Sequence, residues 1–406
     1  MSAAGLSKPM LNRMHRVLSG HIERNDIPGL VALVSHHDDV HVETLGTLAL
    51  GDPALGDPAP MKRDTIFRIA SITKLITAVA AMILVEDCKL RLDDSIEPWL
   101  PELANRRVLK SISSPLDDTV SASRAITVRD LLTYRMGFGS IMAMPNTYPI
   151  QKLIREYRIG GDGPMLPSQM PTMAEWLQRL GSLPLLAQPG ERWMYHVSGD
   201  VLGALIARVS GKSFGAFLRE RIFDPLGMKD TAFHVPPEKI DRMPAFYLFN
   251  PQTGKLEFFE DPAKSAWSTP PLSESGGGGL VSTVDDYFAF SRMLLNKGRH
   301  GREQILSRAT VDLMTSDQLT PQQREGSEIF FGTHSSWGLG MAVDTGRSEI
   351  YHTPGRFGWT GGYGTTAYID PREQMIAILF TQRMMDSAEP PRVFTDFWTL
   401  AYGAME

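Results

Sequence analysis

Hydrophobic and polar positions recur along this chain with two different periods, and the changes of period mark its elements. From 7 to 24, Met10, Leu11, Met14, Val17, Leu18 and Ile22 return at three- and four-residue steps, which predicts an amphipathic helix. After Pro28 the pattern changes. The runs 31–34 and 40–45 flank the polar His36-His37-Asp38-Asp39, as two strands joined by a tight turn would. From 71 to 86 the apolar set Ile72, Leu75, Ile76, Val79, Ala80, Ile83 and Leu84 covers a wide face, the pattern of a central helix buried on most sides. Between about 100 and 264, helical patterns at 128–134, 173–180, 201–209 and 214–223 alternate with Pro- and Gly-rich loops and show almost no strand-like alternation. Beyond the glycines at 276–279 come a helix at 283–295, strands at 338–343, 349–353, 364–370 and 375–381, and a last helix at 393–402. Strands at both ends with helices between predict an α/β protein whose antiparallel sheet is built from both termini and flanked by helices. Residues 1–98 and 273–406 then form the α/β domain, and 99–272 a mostly helical insert along one side of a cleft. The pentapeptide at 49–53 is repeated at once at 54–58, which reads as a loop insertion.

Composition narrows the function. The 406 residues are 42% hydrophobic and 21% charged, ordinary globular values that exclude a disordered, collagen-like or coiled-coil chain. With 41 Lys and Arg against 46 Asp and Glu the net charge is −5, so neither nucleic acid nor an anionic membrane is expected as partner. Cys88 is the lone cysteine and has no partner for a disulfide. No apolar run nears the roughly 20 residues of a membrane span, and the polar, Pro-broken start lacks a signal core, which predicts a cytoplasmic location. A small neutral or mixed-charge ligand is the partner that remains.

The chemistry concentrates at Ser71-Ile72-Thr73-Lys74. Serine and lysine three apart on a helix share a face, with Cβ atoms about 5–6 Å apart, so the amine reaches the hydroxyl as a base reaches a nucleophile. At a helix N-terminus the unpaired N–H groups favour the anion that acyl transfer develops. An N-cap serine beside a surface lysine spells the same four letters, but the face following Lys74 is too apolar for a routine solvated lysine. Farther on, Pro189-Gly190 and a helix beginning near Ser198 leave Tyr195 on a connecting loop, where a phenol can project into a cleft or fill a core. Near the end, Phe357-Gly358-Trp359-Thr360-Gly361-Gly362-Tyr363-Gly364 lets a backbone N–H approach a substrate closely.

In order and spacing these segments resemble the serine β-lactamase and penicillin-binding-protein superfamily, most closely its class C-like branch containing the family VIII carboxylesterases. The resemblance runs from Pro28 to Thr381 and includes Arg68-Ile69-Ala70-Ser71-Ile72-Thr73-Lys74, Leu131-Leu132-Thr133-Tyr134, Gln188-Pro189-Gly190, Tyr195, Gly278-Gly279-Leu280-Val281-Ser282-Thr283 and Trp359-Thr360-Gly361-Gly362. It implies a β-lactamase/transpeptidase-like fold. It also implies Ser71 as acylated nucleophile, Lys74 and Tyr195 as its base system, and the N–H groups of Ser71 and Gly362 as oxyanion hole. No metal and no cofactor is implied.

Two departures from the family pattern bear on substrate. Tyr195-His196-Val197 stands where lactamases have Tyr-x-Asn, so Val197 replaces an amide. Trp359-Thr360-Gly361 stands where they have Lys-Thr-Gly, so Trp359 replaces a cation, with Arg356 the candidate replacement three residues earlier. An apolar ring suits an uncharged acyl or alcohol group, and the expected reaction is hydrolysis of small or short-chain carboxylic esters. A β-lactamase or D-amino-acid peptidase with the same triad is the rival enzyme, and a silent binding protein the rival of another class. The usual Leu-Thr-His is here Leu132-Thr133-Tyr134, with no evident consequence.

Other motifs mislead. Gly211-Lys212-Ser213-Phe214-Gly215 has the spacing of a nucleophile elbow but follows a helix instead of a strand, so Ser213 is expected to cap a helix. Asp344-Thr345-Gly346 has no second copy to share a proton and reads as a hairpin turn. His36, His37, Asp38, Asp39 and His41 read as a solvated turn. The glycines at 276–279 read as a flexible crossing between sub-domains. Met142, Met144, Met165, Met170 and Met173 are either core filler or a pocket wall.

Overall fold

The computed structural model describes residues 5–51, 58–160 and 166–406. The repeated pentapeptide lies partly, and Met165 wholly, outside the described residues. Seven strands form one sheet in the order Ser335–Trp337, Ala342–Asp344, Phe357–Gly361, Thr365–Asp370, Met375–Thr381, Gly29–His36 and Asp39–Gly46, with every neighbouring pair antiparallel. This is the β-lactamase/transpeptidase-like architecture, a sheet drawn from both ends of the chain.

Strand Gly29–His36 is buried along its whole length, and its period-two alternation decides which residue faces which layer. Val31 and Leu33 join the core around the helix Thr73–Glu86, whereas Leu30, Ala32 and Val34 pack under the helices Lys8–Glu23 and Arg392–Gly403. The sheet is therefore covered on both faces. The helix Thr73–Glu86 is buried continuously from Thr73 to Leu84, as its apolar breadth predicts, and packs against the helix Ser198–Ser210. Ser71 lies just before it, in the 3-10 turn Ala70–Ile72.

Several elements depart from the sequence pattern. The expected strand at 349–353 is a turn, closed by the His352 N–H on the Glu349 carbonyl at 3.1 Å, because this segment folds over Arg356 instead of extending the sheet. Strands Ser335–Trp337 and Phe357–Gly361 replace it in the ladder. The insert holds a hairpin, Phe246–Asn250 with Lys255–Glu260, where no strand was expected. The helix expected at 214–223 runs from Phe214 to Leu218 and then widens into a π turn at Arg219–Phe223. Ser213 caps it, its hydroxyl accepting the Ala216 N–H at 3.2 Å. No single helix among the described residues is long and apolar enough to cross a membrane.

Candidate active site

The site is assembled where the start of the helix Thr73–Glu86 meets the strand Phe357–Gly361. That approach requires glycine at 361, since a Cβ there would lie 2.6 Å from the Ile69 carbonyl oxygen and 3.2 Å from the Ala70 Cβ. Ala70, immediately before Ser71, has φ +48°, a left-handed conformation unusual for an alanine and of the kind that gathers at functional sites.

Lys74 is 1% exposed, and its ammonium donates to the Ser71 hydroxyl at 2.9 Å and to the Gly277 carbonyl. The glycines at 276–279 are thus part of the site and not simply a crossing. Asp200, in the first turn of Ser198–Ser210, accepts the Gly277 N–H at 3.1 Å and the Ser275 hydroxyl at 2.5 Å. Thr77 donates to the Gly276 carbonyl at 2.8 Å. A buried carboxylate and a threonine therefore hold the segment that holds the lysine.

Tyr195 reaches the same place from the loop before Ser198–Ser210. The Lys74 ammonium sits 4.7 Å from its ring centroid, and the phenol oxygen accepts the Trp359 indole N–H at 2.8 Å. The ring is stacked on Trp193 at 5.6 Å and touches Phe330 at 5.2 Å. Tyr134 stacks against Tyr195 at 6.2 Å, so the tyrosine in place of the family's histidine is a wall behind the Tyr195 ring. Its hydroxyl is buried without a hydrogen-bond partner, and burial raises its pKa well above the phenol range. His196 is pushed down to about 4 by burial and by the Lys74 ammonium, with Asp200 opposing, so it is neutral at pH 7.

Ser71, Tyr195, His196, Asp200, Trp359 and Gly362 border a cavity of about 510 Å³. Its apolar wall draws on Met170, from the methionines read as core filler or pocket wall, and on residues that sequence patterns did not connect: Trp267 from the insert, Phe330, and Met384, Met385 and Pro390 from the loop after the last strand. The Met385 N–H donates to the Gly362 carbonyl at 2.8 Å, which ties that loop to the turn bearing Gly362. Such contacts leave no local signature, because they depend on where a loop lands.

The residues expected to contact substrate divide. Trp359 and Thr360 line the cavity. Gly361 lies behind it, against Ile69 and Ala70, and Val197 is 2% exposed in the core, so neither meets the space a substrate would occupy. Arg356 is a correction: it is 2% exposed, bonded to Asp344 at 3.0 Å, with its guanidinium 3.9 Å from the Tyr368 ring centroid and 4.3 Å from that of Trp398. A guanidinium so enclosed has its counterion already and cannot swing round to a substrate carboxylate. Of the methionines, Met170 lines the cavity, whereas Met142 and Met144 are exposed. The segment expected as a solvated turn buries His36, which bonds the Gly5 carbonyl and packs on the His37 ring at 4.5 Å, while His41 bonds Glu43; no metal-ligating group forms there among the described residues. Among the described residues, His334, Asp344 and His352 do converge, but Asp344 is occupied by Arg356 and Ser335.

Comparisons with known proteins agree with this fold. The Beta-lactamase family model matches residues 14–394. Protein Rv1367c of Mycobacterium tuberculosis (strain ATCC 25618 / H37Rv) is 37% identical over 336 residues, covering 80% of this chain and 80% of that protein. Lovastatin esterase of Penicillium rubens is 30% identical over 338 residues, covering 79% of this chain and 80% of that protein. The solved structure of EstCE1, described as a hydrolase with promiscuous acyltransferase activity, superposes with a TM-score of 0.79 over 97% of this chain and 99% of that one, at 24% identity. The chain accordingly belongs to the Beta-lactamase family, as an enzyme of the serine β-lactamase-like superfamily with esterases and acyltransferases among its relatives.

Proposed function

We propose that this protein is a serine carboxylesterase that hydrolyses small or short-chain esters through an acyl-Ser71 intermediate, without metal or cofactor. Ser71 attacks the ester carbonyl, and Lys74 with Tyr195 takes its proton and returns it to the departing alcohol. The N–H groups of Ser71, in the 3-10 turn ahead of the helix Thr73–Glu86, and of Gly362, which borders the same cavity, stabilise the developing oxyanion in this reading. Residues 99–272 supply one wall of the cleft, and the sheet with its connecting loops the other. A cytoplasmic setting, with a small-molecule ester as partner, belongs to the same proposal and suits a chain with one free cysteine.

The observation that carries the reading is the pairing of Lys74 with Ser71 at 2.9 Å beside a cavity whose described lining contains no lysine or arginine. A β-lactam or a peptide C-terminus brings a carboxylate. Here it would meet Asp200 and the Trp359 ring, with Arg356 out of reach. Leaving a buried charge unpaired costs more than the roughly 1–3 kcal/mol of a neutral group, so discrimination of about 100-fold or more against such substrates follows.

A fluorophosphonate probe is expected to label the protein and not Ser71→Ala. A panel of p-nitrophenyl esters of increasing acyl length is expected to give kcat/KM at least about 100-fold above that for nitrocefin. Comparable values for nitrocefin and p-nitrophenyl butyrate would favour the lactamase reading, and absence of labelling would favour a binding protein.

A further inference from the structure

Trp359 occupies a position at which the sequence suggests only an apolar surface, yet its one polar atom is engaged. The indole N–H donates to the Tyr195 oxygen at 2.8 Å. An indole can only donate, so this bond has a single direction: the phenol oxygen accepts, and its own proton points elsewhere. Trp193, Phe330 and Tyr134 pack around the Tyr195 ring, while Tyr195 itself borders the cavity beside Ser71. Trp359 is as firmly placed as its partner. It is 6% exposed, packs edge-to-face on Trp337 at 4.8 Å, and sits in a ladder opposite Ala367. The donor cannot turn away without breaking the strand's packing.

We propose that Trp359 is a positioning residue that fixes Tyr195 as proton donor to the departing alcohol, and that it thereby extends the substrate range to unactivated alkyl esters. The proposal rests on the acyl-Ser71 reading and deepens it. The acylation step uses Lys74 in its amine form, which is the ammonium described above after loss of one proton to solvent: Ser71 Oγ forms a bond to the carbonyl carbon, and its proton passes to that amine. The bond to the leaving oxygen then breaks, its electron pair stays on that oxygen, and the Tyr195 proton moves to it. The phenolate so formed keeps the Trp359 hydrogen bond and lies beside the Lys74 ammonium, which returns a proton to it. Ester and serine have become acyl-serine and alcohol, and no proton is left over. A nitrophenolate leaves readily without a proton, whereas an alkoxide such as ethoxide does not. The Trp359 bond therefore matters in proportion to the basicity of the leaving group.

The test compares two esters of one acyl group. Trp359→Phe keeps an aromatic ring and removes the donor. Its kcat/KM is expected to fall on both esters, but at least about 10-fold further for ethyl butyrate than for p-nitrophenyl butyrate, with recovery of that difference in Trp359→His, which restores an N–H. Equal losses on both esters would show that the ring serves packing alone, and unchanged values on both would show that the bond does nothing; either result overturns the proposal. On the unaltered protein, a solvent deuterium isotope effect on kcat/KM of about 2 for ethyl butyrate and near 1 for the nitrophenyl ester is expected, and a value near 1 for both overturns it without any variant. Ester hydrolysis that survives Ser71→Ala would instead sink the acyl-enzyme reading, whatever Trp359 does.

Discussion

Asp200 accepts the Gly277 N–H at 3.1 Å, and the carbonyl of that same glycine accepts the Lys74 ammonium. A carboxylate that bonds neither Ser71 nor Lys74 thus helps to fix where the Lys74 ammonium stands. Asp200→Ala removes the acceptor and is expected to lower kcat by about 10–100-fold with KM little changed, while Asp200→Asn, which can still accept, loses less. A loss confined to KM would place Asp200 in substrate binding instead.

The contrast between two serines gives a second expectation. Ser71→Ala should lose at least about 1000-fold in ester hydrolysis, as removal of a covalent nucleophile does. Ser213→Ala should keep its rate and lose about 1 kcal/mol of stability, because Ser213 caps the helix Phe214–Leu218. Kinetics and thermal melts of the two variants check both halves.

Lys74 and Tyr195 are in contact through the ammonium and the ring face. If they carry one proton between them, Lys74→Ala and Tyr195→Phe should each be severe and the double variant little worse than either. Additive losses in the double-mutant cycle would separate their roles.

Arg356 is expected to matter to folding and not to selectivity. Its removal strands Asp344, itself 2% exposed, and breaking a buried ion pair costs about 3–5 kcal/mol. Arg356→Ala should melt roughly 6 °C or more below the parent and keep the parent's ratio of ester to nitrocefin kcat/KM. A change in that ratio at constant stability would return Arg356 to the substrate.

Three histidines set a pH expectation. Burial pushes His196 down to about 4 and His352 to about 3, and lowers His334, whose ring stacks on His352 at 3.8 Å. Folded pKa values below the unfolded value of 6.5 mean that the unfolded chain binds more protons at mildly acid pH. Their contribution is therefore complete above about pH 6.5 and declines as pH falls toward 4. Carboxylates lowered by arginine and lysine partners, such as Asp87 and Asp118, add to the loss only further down. Thermal melts at pH 7.5 and 5.0 should show the drop, and His352→Gln should reduce it; an identical drop in the variant would assign the effect elsewhere.

What was legible in the sequence follows from how local each signal is. Ser71 and Lys74 are one helical turn apart, so four letters and an apolar face reveal them. Tyr195 is linked to them by tertiary folding, and only the resemblance of a whole series of motifs connected it. The glycines of 357–364 read as a close approach to substrate just before a strand, whereas Phe357–Gly361 is itself a strand in which glycines 358 and 361 let Tyr368 on one side and Ile69 on the other come close. Ile350, Tyr351 and Thr353 favour a strand by type, but the buried guanidinium against the Tyr351 ring goes with a turn instead. The hairpin Phe246–Asn250 shows no clean alternation because its first residues are buried and the rest half-buried. Val197 is expected at the substrate from its place in the family's tyrosine motif and Arg356 from its nearness to Trp359 along the chain, and neither ground gives the direction in which a side chain points.

The sheet order has a further consequence for how the molecule forms. Strand Gly29–His36, apolar on both faces, lies between Asp39–Gly46 and Met375–Thr381, and the second of these partners is more than three hundred residues away. During synthesis it waits with one edge open until the ribosome has made nearly all of the rest. Contacts of such high sequence separation fold slowly and expose a sticky edge meanwhile. The nascent protein should therefore lean on chaperones, and its yield should depend on translation rate more than on the stability of the finished enzyme.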